Sequence, residues 1–272
     1  MGGWEEIGEA VFVRRYAFYD QNIGVVLGDG EALVIDTRTT YRQADELREH
    51  VRELAPAATL TVVNTHAHYD HCFGNARFRP AVIWGHERCA SALLESGDRQ
   101  KAAVTAELPE LADEIAQIEI DPPDRTMHDQ AGLDVGGRRV ELRHLGRGHT
   151  DSDIVIAAAG TGVLFAGDLL ENGAPPYFGD AFPLDWPDAV QRMLALVDER
   201  SRVVPGHGDP EGRAFVEESL ASFRAVADLA RRAHAEGLAV DDVLPEAPWD
   251  GDPLIRQGLE RGLAQLRGEL DR

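Results

Sequence analysis

The chain has 272 residues, 43% of them hydrophobic, so it can bury a sizeable core as one large domain or two small ones. Its 27 basic and 48 acidic residues give a net charge of −21, which argues against nucleic-acid partners and anionic membranes. The two cysteines, Cys72 and Cys89, exclude a disulfide framework but leave a single bridge open, and the N-terminal stretch is acidic where a secretion signal would be basic. These observations predict a cytoplasmic location.

The first elements are predicted to be strands and one helix. Branched and aromatic residues predict strands over 10–15, 23–28, 31–36 and 59–64. The composition of residues 28–30, Gly-Asp-Gly, is typical of a tight hairpin turn. Hydrophobic residues at helical spacing amid charges predict an amphipathic helix over 41–54.

The remainder of the chain repeats this succession of strands and helices. A strand is predicted at 81–84, followed by a helical segment, 86–118, that is broken at Gly97 and Pro109. Further strands are predicted over 133–135, 138–145, 153–158, 162–166 and 202–204. Further helices are predicted over 187–199, 211–236 and 253–270.

The order of these elements predicts the fold class. Two strand-rich rounds, each ending in helices, predict an α/β (α+β) fold: a four-layer αββα sandwich with two packed sheets between helices. The alternative, a doubly wound parallel sheet, requires regular strand-helix alternation, and the hairpin signals at 28–30 and 136–137 count against it. Without a linker-like stretch, the sequence predicts a single domain, 1–272, with C-terminal helices from about residue 211.

A concentration of ligand-type residues follows the predicted strand at 59–64. The stretch TVVNTHAHYDHCFGN, residues 61–75, contains His66 and His68 two positions apart, so both side chains can share one face of an extended segment. Asp70 and His71 follow where the chain turns. Burying this much polarity is costly unless a cation compensates, so the pattern predicts a divalent metal with two adjacent pockets.

Three later residues occur in the same local context: a hydrophobic strand, a glycine turn and a ligand-type side chain. They are His149 in HLGRGHTDSD, Asp168 in VLFAGDLL and His207 in RVVPGHGDP. A catalytic zinc ion needs three protein ligands and an open position, so one of these residues can complete the pair His66 and His68. His128 and His144 stay open as alternatives that line the pocket.

The run from His66 to His71, with GHT at 148–150, GD at 167–168 and GH at 206–207, resembles the five-motif signature of the metallo-β-lactamase superfamily of hydrolases. The resemblance extends from Asp36 to His207 and implies the αββα sandwich. It implies two divalent ions, zinc first, although iron and manganese suit the same ligands. The implied first ion is bound by His66, His68 and His149, the second by Asp70, His71 and His207, and Asp168 bridges them.

This resemblance implies a metal-dependent hydrolase that uses a bridging hydroxide to cleave a small ester, thioester, lactone or amide. Asp70 is the candidate catalytic residue, because it can ligate one ion and also orient the water. The alternatives are β-lactamase-type hydrolysis, phosphodiester or sulfate ester hydrolysis and, in another class, a di-iron oxidoreductase such as a persulfide oxidase. The family's dedicated β-lactamases tend to lack the bridging Asp168. A non-catalytic scaffold would be expected to have lost ligands, and all seven are present.

Residues around the metals are expected to support them or to bind a small-molecule substrate. Asp36 and Asp151 are candidate hydrogen-bond partners of the ligand histidines. Two loops, 16–22 and 171–186, carry aromatic side chains for the substrate: Tyr16, Tyr19, Tyr177, Phe178, Phe182 and Trp186. The alternative is that these aromatics anchor the loop to the domain or to a second subunit of a homodimer.

Overall fold

The computed structural model describes residues 3–270. Its strands follow one continuous hydrogen-bonded order that divides into two sheets, joined by the pairing of His207 with Gln21. The first sheet contains β1 to β7 in chain order, antiparallel from β1 to β4 and parallel from β4 to β7. Its strands are β1 (Glu5–Gly8), β2 (Val11–Tyr16), β3 (Gln21–Leu27), β4 (Glu31–Ile35), β5 (Thr59–Val63), β6 (Val82–His86) and β7 (Arg125–Met127).

The second sheet has the order β8-β9-β10-β11-β12, with only its last pair parallel. Its strands are β8 (Gln130–Val135), β9 (Arg138–His144), β10 (Ile154–Ala158), β11 (Val163–Glu171) and β12 (Arg202–His207). A backbone pairing of His207 with Gln21 connects β12 to β3 and thus the two sheets.

Helices cover the outer faces of both sheets. Against the first sheet lie α1 (Tyr41–Leu54), α2 (Tyr69–Cys72), α3 (Asn75–Phe78), α4 (Glu87–Glu107) and α5 (Ala112–Ala116). Against the second lie α6 (Trp186–Leu194), α7 (Arg213–Glu236), α8 (Val240–Val243) and α9 (Pro253–Leu266). Within residues 3–270, the structure contains no helix with the length and hydrophobicity needed to cross a membrane.

The hydrophobic core is divided into layers that confirm the predicted αββα sandwich. Between the sheets, Leu33 and Ile35 of β4 are buried in one cluster with Ile156 of β10 and Phe165 of β11. On the helix side of the first sheet, Leu47 and Val51 of α1 pack in a cluster with Val25 and Val34. Both faces of the central strands are therefore buried, which explains their nearly continuous hydrophobic sequences.

The predicted break at Gly97 is wrong, because α4 continues through this residue and ends at Glu107, before Pro109. Gly97 is buried, and a Cβ atom at this position would lie 2.6 Å from Ile120 Cδ1. The glycine therefore permits a close packing contact and does not interrupt the helix. The strand predicted at 162–166 extends to Glu171, so Asp168 lies within β11. The short strands β1 and β7 were not predicted.

Candidate metal centre

The first four candidate ligands are placed by the turn between β5 and α2. Asp36, at the end of β4, fixes this turn, because its carboxylate accepts hydrogen bonds from Thr65 N at 2.8 Å and from Thr65 Oγ1 at 2.9 Å. Asn64 Nδ2 donates to the carbonyl of His71 at 3.2 Å. The polar residues just beyond the buried strand thus hold the backbone that presents His66 to His71.

The other three candidates come from the second sheet. His149 lies in the loop between β9 and β10, Asp168 lies in β11, and His207 ends the neighbouring parallel strand β12. A Cβ atom on Gly206 would lie 1.7 Å from Asp168 Oδ1. Only glycine therefore lets the Asp168 carboxylate pass β12 and reach the edge between the sheets.

The structure brings all seven predicted ligands together at this edge. They form two groups, and in each group one ligand atom per residue lies within 4.8 Å of the others: His66, His68, His149 and Asp168, and Asp70, His71 and His207. Asp168 Oδ2 lies 3.5 Å from His149 Nε2 and 3.3 Å from His207 Nε2, so this carboxylate stands between the groups. Their roles as ligands stay predictions, but the geometry agrees with them.

Buried polar atoms at the centre show that the site fits cations. His66 Nε2, His71 Nε2 and Asp168 Oδ1 are buried and have no hydrogen-bond partner among the described residues. Such atoms are rare in folded proteins because leaving them unpaired is costly. Imidazole nitrogens and carboxylate oxygens are the donors that divalent zinc, iron and manganese accept.

The electrostatics differ from one ligand histidine to the next. Burial opposes protonation of His68 in the first group, but Asp180 outweighs it and the pKa of His68 is raised to about 9. Burial lowers the pKa of His66 well below its usual range and that of His149 to about 4, which keeps both rings neutral, as metal ligation requires. Burial also opposes protonation of His71 and His207, but Asp168 and Asp70 outweigh it and raise both pKa values well above the usual range. A bound cation would replace those protons as the partner of the two carboxylates.

Four ligand histidines have a hydrogen-bond acceptor or polar atom beside the second ring nitrogen, which can fix the ring orientation. The contacts are His71 Nδ1 to Asp36 Oδ2 at 2.8 Å, His207 Nδ1 to Tyr19 O at 2.7 Å, His66 Nδ1 to Thr65 Oγ1 at 3.0 Å, and His68 Nε2 to Asp180 Oδ2 at 2.9 Å. The structure thus places Asp36 where the sequence suggested a supporting acid.

Asp151 does not occupy the corresponding position. Its carboxylate lies 4.0 Å from Arg88 Nε, and in the described chain it forms no hydrogen bond with a histidine. The alternatives His128 and His144 belong to neither ligand group. Both lie beside His86, whose ring centroid is 5.8 Å from that of His128 and 4.3 Å from that of His144. The loop after His149 instead directs the Asp151 carboxylate towards Arg88 of α4.

The predicted substrate-binding aromatics divide into site and core residues. The Tyr177 ring is 45% exposed, and its centroid lies 6.0 Å from that of His68. The ring centroids of Tyr19 and Tyr69 lie 6.2 Å apart, and the backbone carbonyl of Tyr19 lies 2.7 Å from His207 Nδ1. These two tyrosines border the metal ligands.

Three of the other four aromatics, Tyr16, Phe178 and Trp186, are buried, so a substrate cannot reach them. Tyr16 is buried on the helix side of the first sheet, where Arg38 stacks on its ring at 3.7 Å. Phe178 and Trp186 are buried against Phe223 of α7, and the Trp186 ring also packs against His149, with centroids 5.7 Å apart. Phe182 is partly exposed beside Arg147, and its role in substrate binding stays a prediction. The 171–186 loop therefore uses Phe178 and Trp186 as anchors to the domain, as the alternative interpretation predicted for its aromatic residues.

Two acids of the 171–186 loop were missed by the sequence reasoning, which considered only its aromatic residues. Asp180 contacts His68, and Glu171 Oε1 lies 3.8 Å from His149 Nδ1. Burial and the neighbouring Asp168 raise the pKa of Glu171 to about 8. No local signal in the sequence marked either acid, because Glu171 is the last residue of β11 and Asp180 lies further along the loop.

Comparison with known proteins assigns the family. The sequence model of the metallo-beta-lactamase superfamily matches residues 17–207, which include all seven candidate ligands. The chain belongs to this superfamily. It is therefore a metal-dependent hydrolase of the metallo-beta-lactamase fold. The superfamily match ends before α7, so the helices α7 to α9 lie outside the matched region.

Individual relatives are distant. A metallo-beta-lactamase type 2 from Bacillus cereus is 25% identical over 201 residues, 72% of this chain and 71% of the relative. A metallo-beta-lactamase from Pontibacter korlensis superimposes with a TM-score of 0.64 and 20% identity, covering 81% of this chain and 98% of that structure. A double mutant of the sec-alkyl sulfatase PisA1 gives a TM-score of 0.76 at 16% identity, covering 97% of this chain but only 50% of the sulfatase. The two structural matches show the shared fold.

Proposed function

We propose that this superfamily member is a dinuclear hydrolase, with zinc as its metal, that cleaves a small ester, thioester, lactone or amide. The observation that carries the proposal is the position of Asp168 between two complete groups of ligands, with Oδ2 3.5 Å from His149 Nε2 and 3.3 Å from His207 Nε2. Two divalent ions held there would lower the pKa of a water between them and polarise the bond to be cleaved.

The protein's own residues would orient the reactants. Asp70 is buried, and its Oδ2 lies 3.3 Å from His71 Nε2 and 3.4 Å from His207 Nε2. From this position its carboxylate can accept a proton from a water at the centre and return it to the leaving group. Gln21 supports Asp70 by donating from Nε2 to its carbonyl at 2.5 Å.

The site entrance supports an uncharged acyl substrate. Tyr177 presents a half-exposed ring beside His68, and Tyr19 and Tyr69 form a second aromatic edge near His207. Aromatic walls favour apolar parts of a ligand, while the nearby acids Asp180 and Glu107 disfavour an anionic one.

Hydrolysis of β-lactams is a second candidate because the curated relatives are named metallo-beta-lactamases type 2. The sequence identity to the relatives of this name is 23–29%, and the entrance described above would place acids near the carboxylate that β-lactam antibiotics carry. The ester, thioester, lactone and amide classes therefore come first, and a β-lactam belongs in the same substrate panel.

A cytoplasmic location is also part of the proposal. It is supported by Cys72 and Cys89, which are both free, with exposed fractions of 2% and 0%. Free thiols are normal in a reducing compartment. Fractionation of cells that express the tagged full-length protein would test the location.

The function is tested by elemental analysis and a panel of chromogenic ester, thioester, lactone, amide, phosphodiester, sulfate ester and β-lactam substrates. We expect about two equivalents of divalent metal and turnover in at least one acyl class. Chelation and His66→Ala should each remove that turnover, because they remove the metal or one of its ligands. The control is His234→Ala, an exposed histidine in α7, which should retain it. Turnover that survives chelation and His66→Ala would refute the proposal.

A further inference from the structure

His68 differs from the other ligand histidines in what its two ring nitrogens contact. Nδ1 points inward and lies 2.8 Å from His149 Nε2, which is itself a candidate ligand atom. Nε2 points towards the entrance and lies 2.9 and 3.1 Å from the two carboxylate oxygens of Asp180. The ring is thus placed between a metal position and an acid.

The contact with Asp180 determines which nitrogen carries the proton. An ionised carboxylate can only accept hydrogen bonds, so His68 must donate from Nε2–H. In the neutral ring the lone pair is then on Nδ1, the nitrogen that faces His149 and the metal position. Without Asp180 the other tautomer becomes accessible, and it would direct an N–H at the metal.

The position of Asp180 is held from the C-terminal helix. Arg261 of α9 donates from Nε to the carbonyl of Ala181 at 2.7 Å and from Nη1 to the carbonyl of Gly179 at 3.0 Å. These carbonyls flank Asp180 on both sides. Phe178, just before Gly179, is buried against Gly258 of the same helix and anchors this part of the loop.

These contacts explain how an acid at the surface can hold a defined geometry. The Asp180 side chain is 57% exposed, whereas the His68 side chain is 13% exposed. An isolated exposed carboxylate would contribute little, because side-chain entropy and solvent oppose a fixed contact. The two hydrogen bonds from the Arg261 side chain restrain the backbone on either side of Asp180 and so limit the positions that its carboxylate can take.

We propose that Asp180 is a positioning residue that fixes the ring and tautomer of His68 for metal binding, and that Arg261 holds Asp180 in place. The proposal rests on the proposed function only in taking His68 as a metal ligand. It gives α9, which lies outside the superfamily match, a direct influence on the metal centre.

The experiment measures zinc affinity by competition with a chromogenic chelator and the absorption spectrum of the cobalt-substituted protein. Asp180→Ala should weaken zinc binding by about 10–100-fold and shift the cobalt bands, as is typical when a hydrogen-bond partner of a ligand histidine is lost. Asp180→Glu should restore part of the affinity because it again offers a carboxylate. Arg261→Ala should change affinity in the same direction by a smaller factor.

The matched control is Asp188→Ala, which removes an exposed acid in the first turn of α6, close to the same loop. It should leave zinc affinity and the cobalt spectrum unchanged. Unfolding of each variant in excess chelator separates loss of metal affinity from loss of folding.

The outcomes distinguish this proposal from the proposed function. Weaker metal binding in Asp180→Ala supports the inference even if no substrate in the panel is hydrolysed by the wild type. Wild-type affinity and an unchanged cobalt spectrum in Asp180→Ala overturn it, and a loss of turnover in that case would identify Asp180 as a substrate contact.

Discussion

At the scale of single residues, Asp36 holds the turn that carries the candidate ligands His66 to His71. Its two oxygens accept hydrogen bonds from Thr65 N, Thr65 Oγ1 and His71 Nδ1, at 2.8, 2.9 and 2.8 Å. The side chain is 3% exposed, so water cannot replace a lost partner. Asp36 thus connects the end of β4 to a ligand of the second group.

Replacing Asp36 by asparagine tests this role. Asparagine has one acceptor oxygen, so its amide NH2 would face at least one of the donors. We expect Asp36→Asn to lose about 1–3 kcal/mol of unfolding free energy through the unpaired buried donor. Metal affinity should fall about 10–100-fold, because His71 loses its orientation. Denaturant unfolding and chelator competition measure the two effects.

Asp29→Asn serves as the control, since Asp29 is exposed in the turn between β3 and β4. This substitution should change the unfolding free energy by less than about 0.5 kcal/mol. An Asp36→Asn protein with wild-type stability and metal affinity would contradict the role assigned to the buried carboxylate.

The candidate site could be predicted from the sequence where side-chain chemistry and local context agree. His66 follows a hydrophobic strand, and Asp168 and His207 each come directly after a glycine in a hydrophobic strand, so these polar residues are conspicuous in the sequence. Asp180 could not be predicted in this way, because its role depends on Arg261, 81 positions further along the chain. The sequence does not encode such a distant contact in any local pattern.

At the scale of elements, α4 shows why the low helix propensity of glycine does not by itself predict the end of a helix. Glycine in a helix interior usually costs up to about 1 kcal/mol relative to alanine, so Gly97 was expected to break the helix. In the fold, the missing side chain leaves room for Ile120, and the packing compensates for the lower helix propensity. The aromatic loop shows the same limit, because burial of Phe178 and Trp186 depends on α7.

Gly97→Ala tests the packing explanation. The added methyl would lie 2.6 Å from Ile120 Cδ1 and 2.8 Å from Ile120 Cγ1, so the isoleucine must move. Overpacking costs about 1–3 kcal/mol and exceeds the gain in helix propensity, so we expect a net destabilisation of about 1 kcal/mol. Urea unfolding curves measure this difference.

The matched comparison introduces Gly97→Ala into an Ile120→Ala background. With the isoleucine shortened, the clash is absent, and the substitution should be neutral or stabilising. If Gly97→Ala stabilises the protein that retains Ile120, the close approach does not explain the glycine.

At the scale of the whole molecule, the candidate ligands belong to both sheets. His66, His68, Asp70 and His71 follow β5 of the first sheet, whereas His149, Asp168 and His207 come from the second. The described backbone connects the sheets through the pairing of His207 with Gln21. Bound cations would therefore link the two halves of the sandwich at the edge where this pairing lies.

This arrangement predicts that metal removal lowers global stability. A ligand at about 1,000 times its dissociation constant stabilises the folded state by about 4 kcal/mol when the unfolded chain does not bind it. For a chain of this size about 1 kcal/mol shifts the Tm by roughly 2–4 °C, so chelation should lower the Tm by roughly 10 °C. Calorimetry of the metal-loaded, chelated and reconstituted protein measures the shift.

His66→Ala provides the internal comparison, because it removes a ligand contributed by the first sheet. Its Tm should change less on chelation than that of the wild type, since it binds less metal at the start. The exposed variant His234→Ala should behave as the wild type does. A wild-type protein shown by elemental analysis to have lost its metal, yet melting within about 1 °C of the loaded form, would show that the cations do not stabilise the packing of the two sheets.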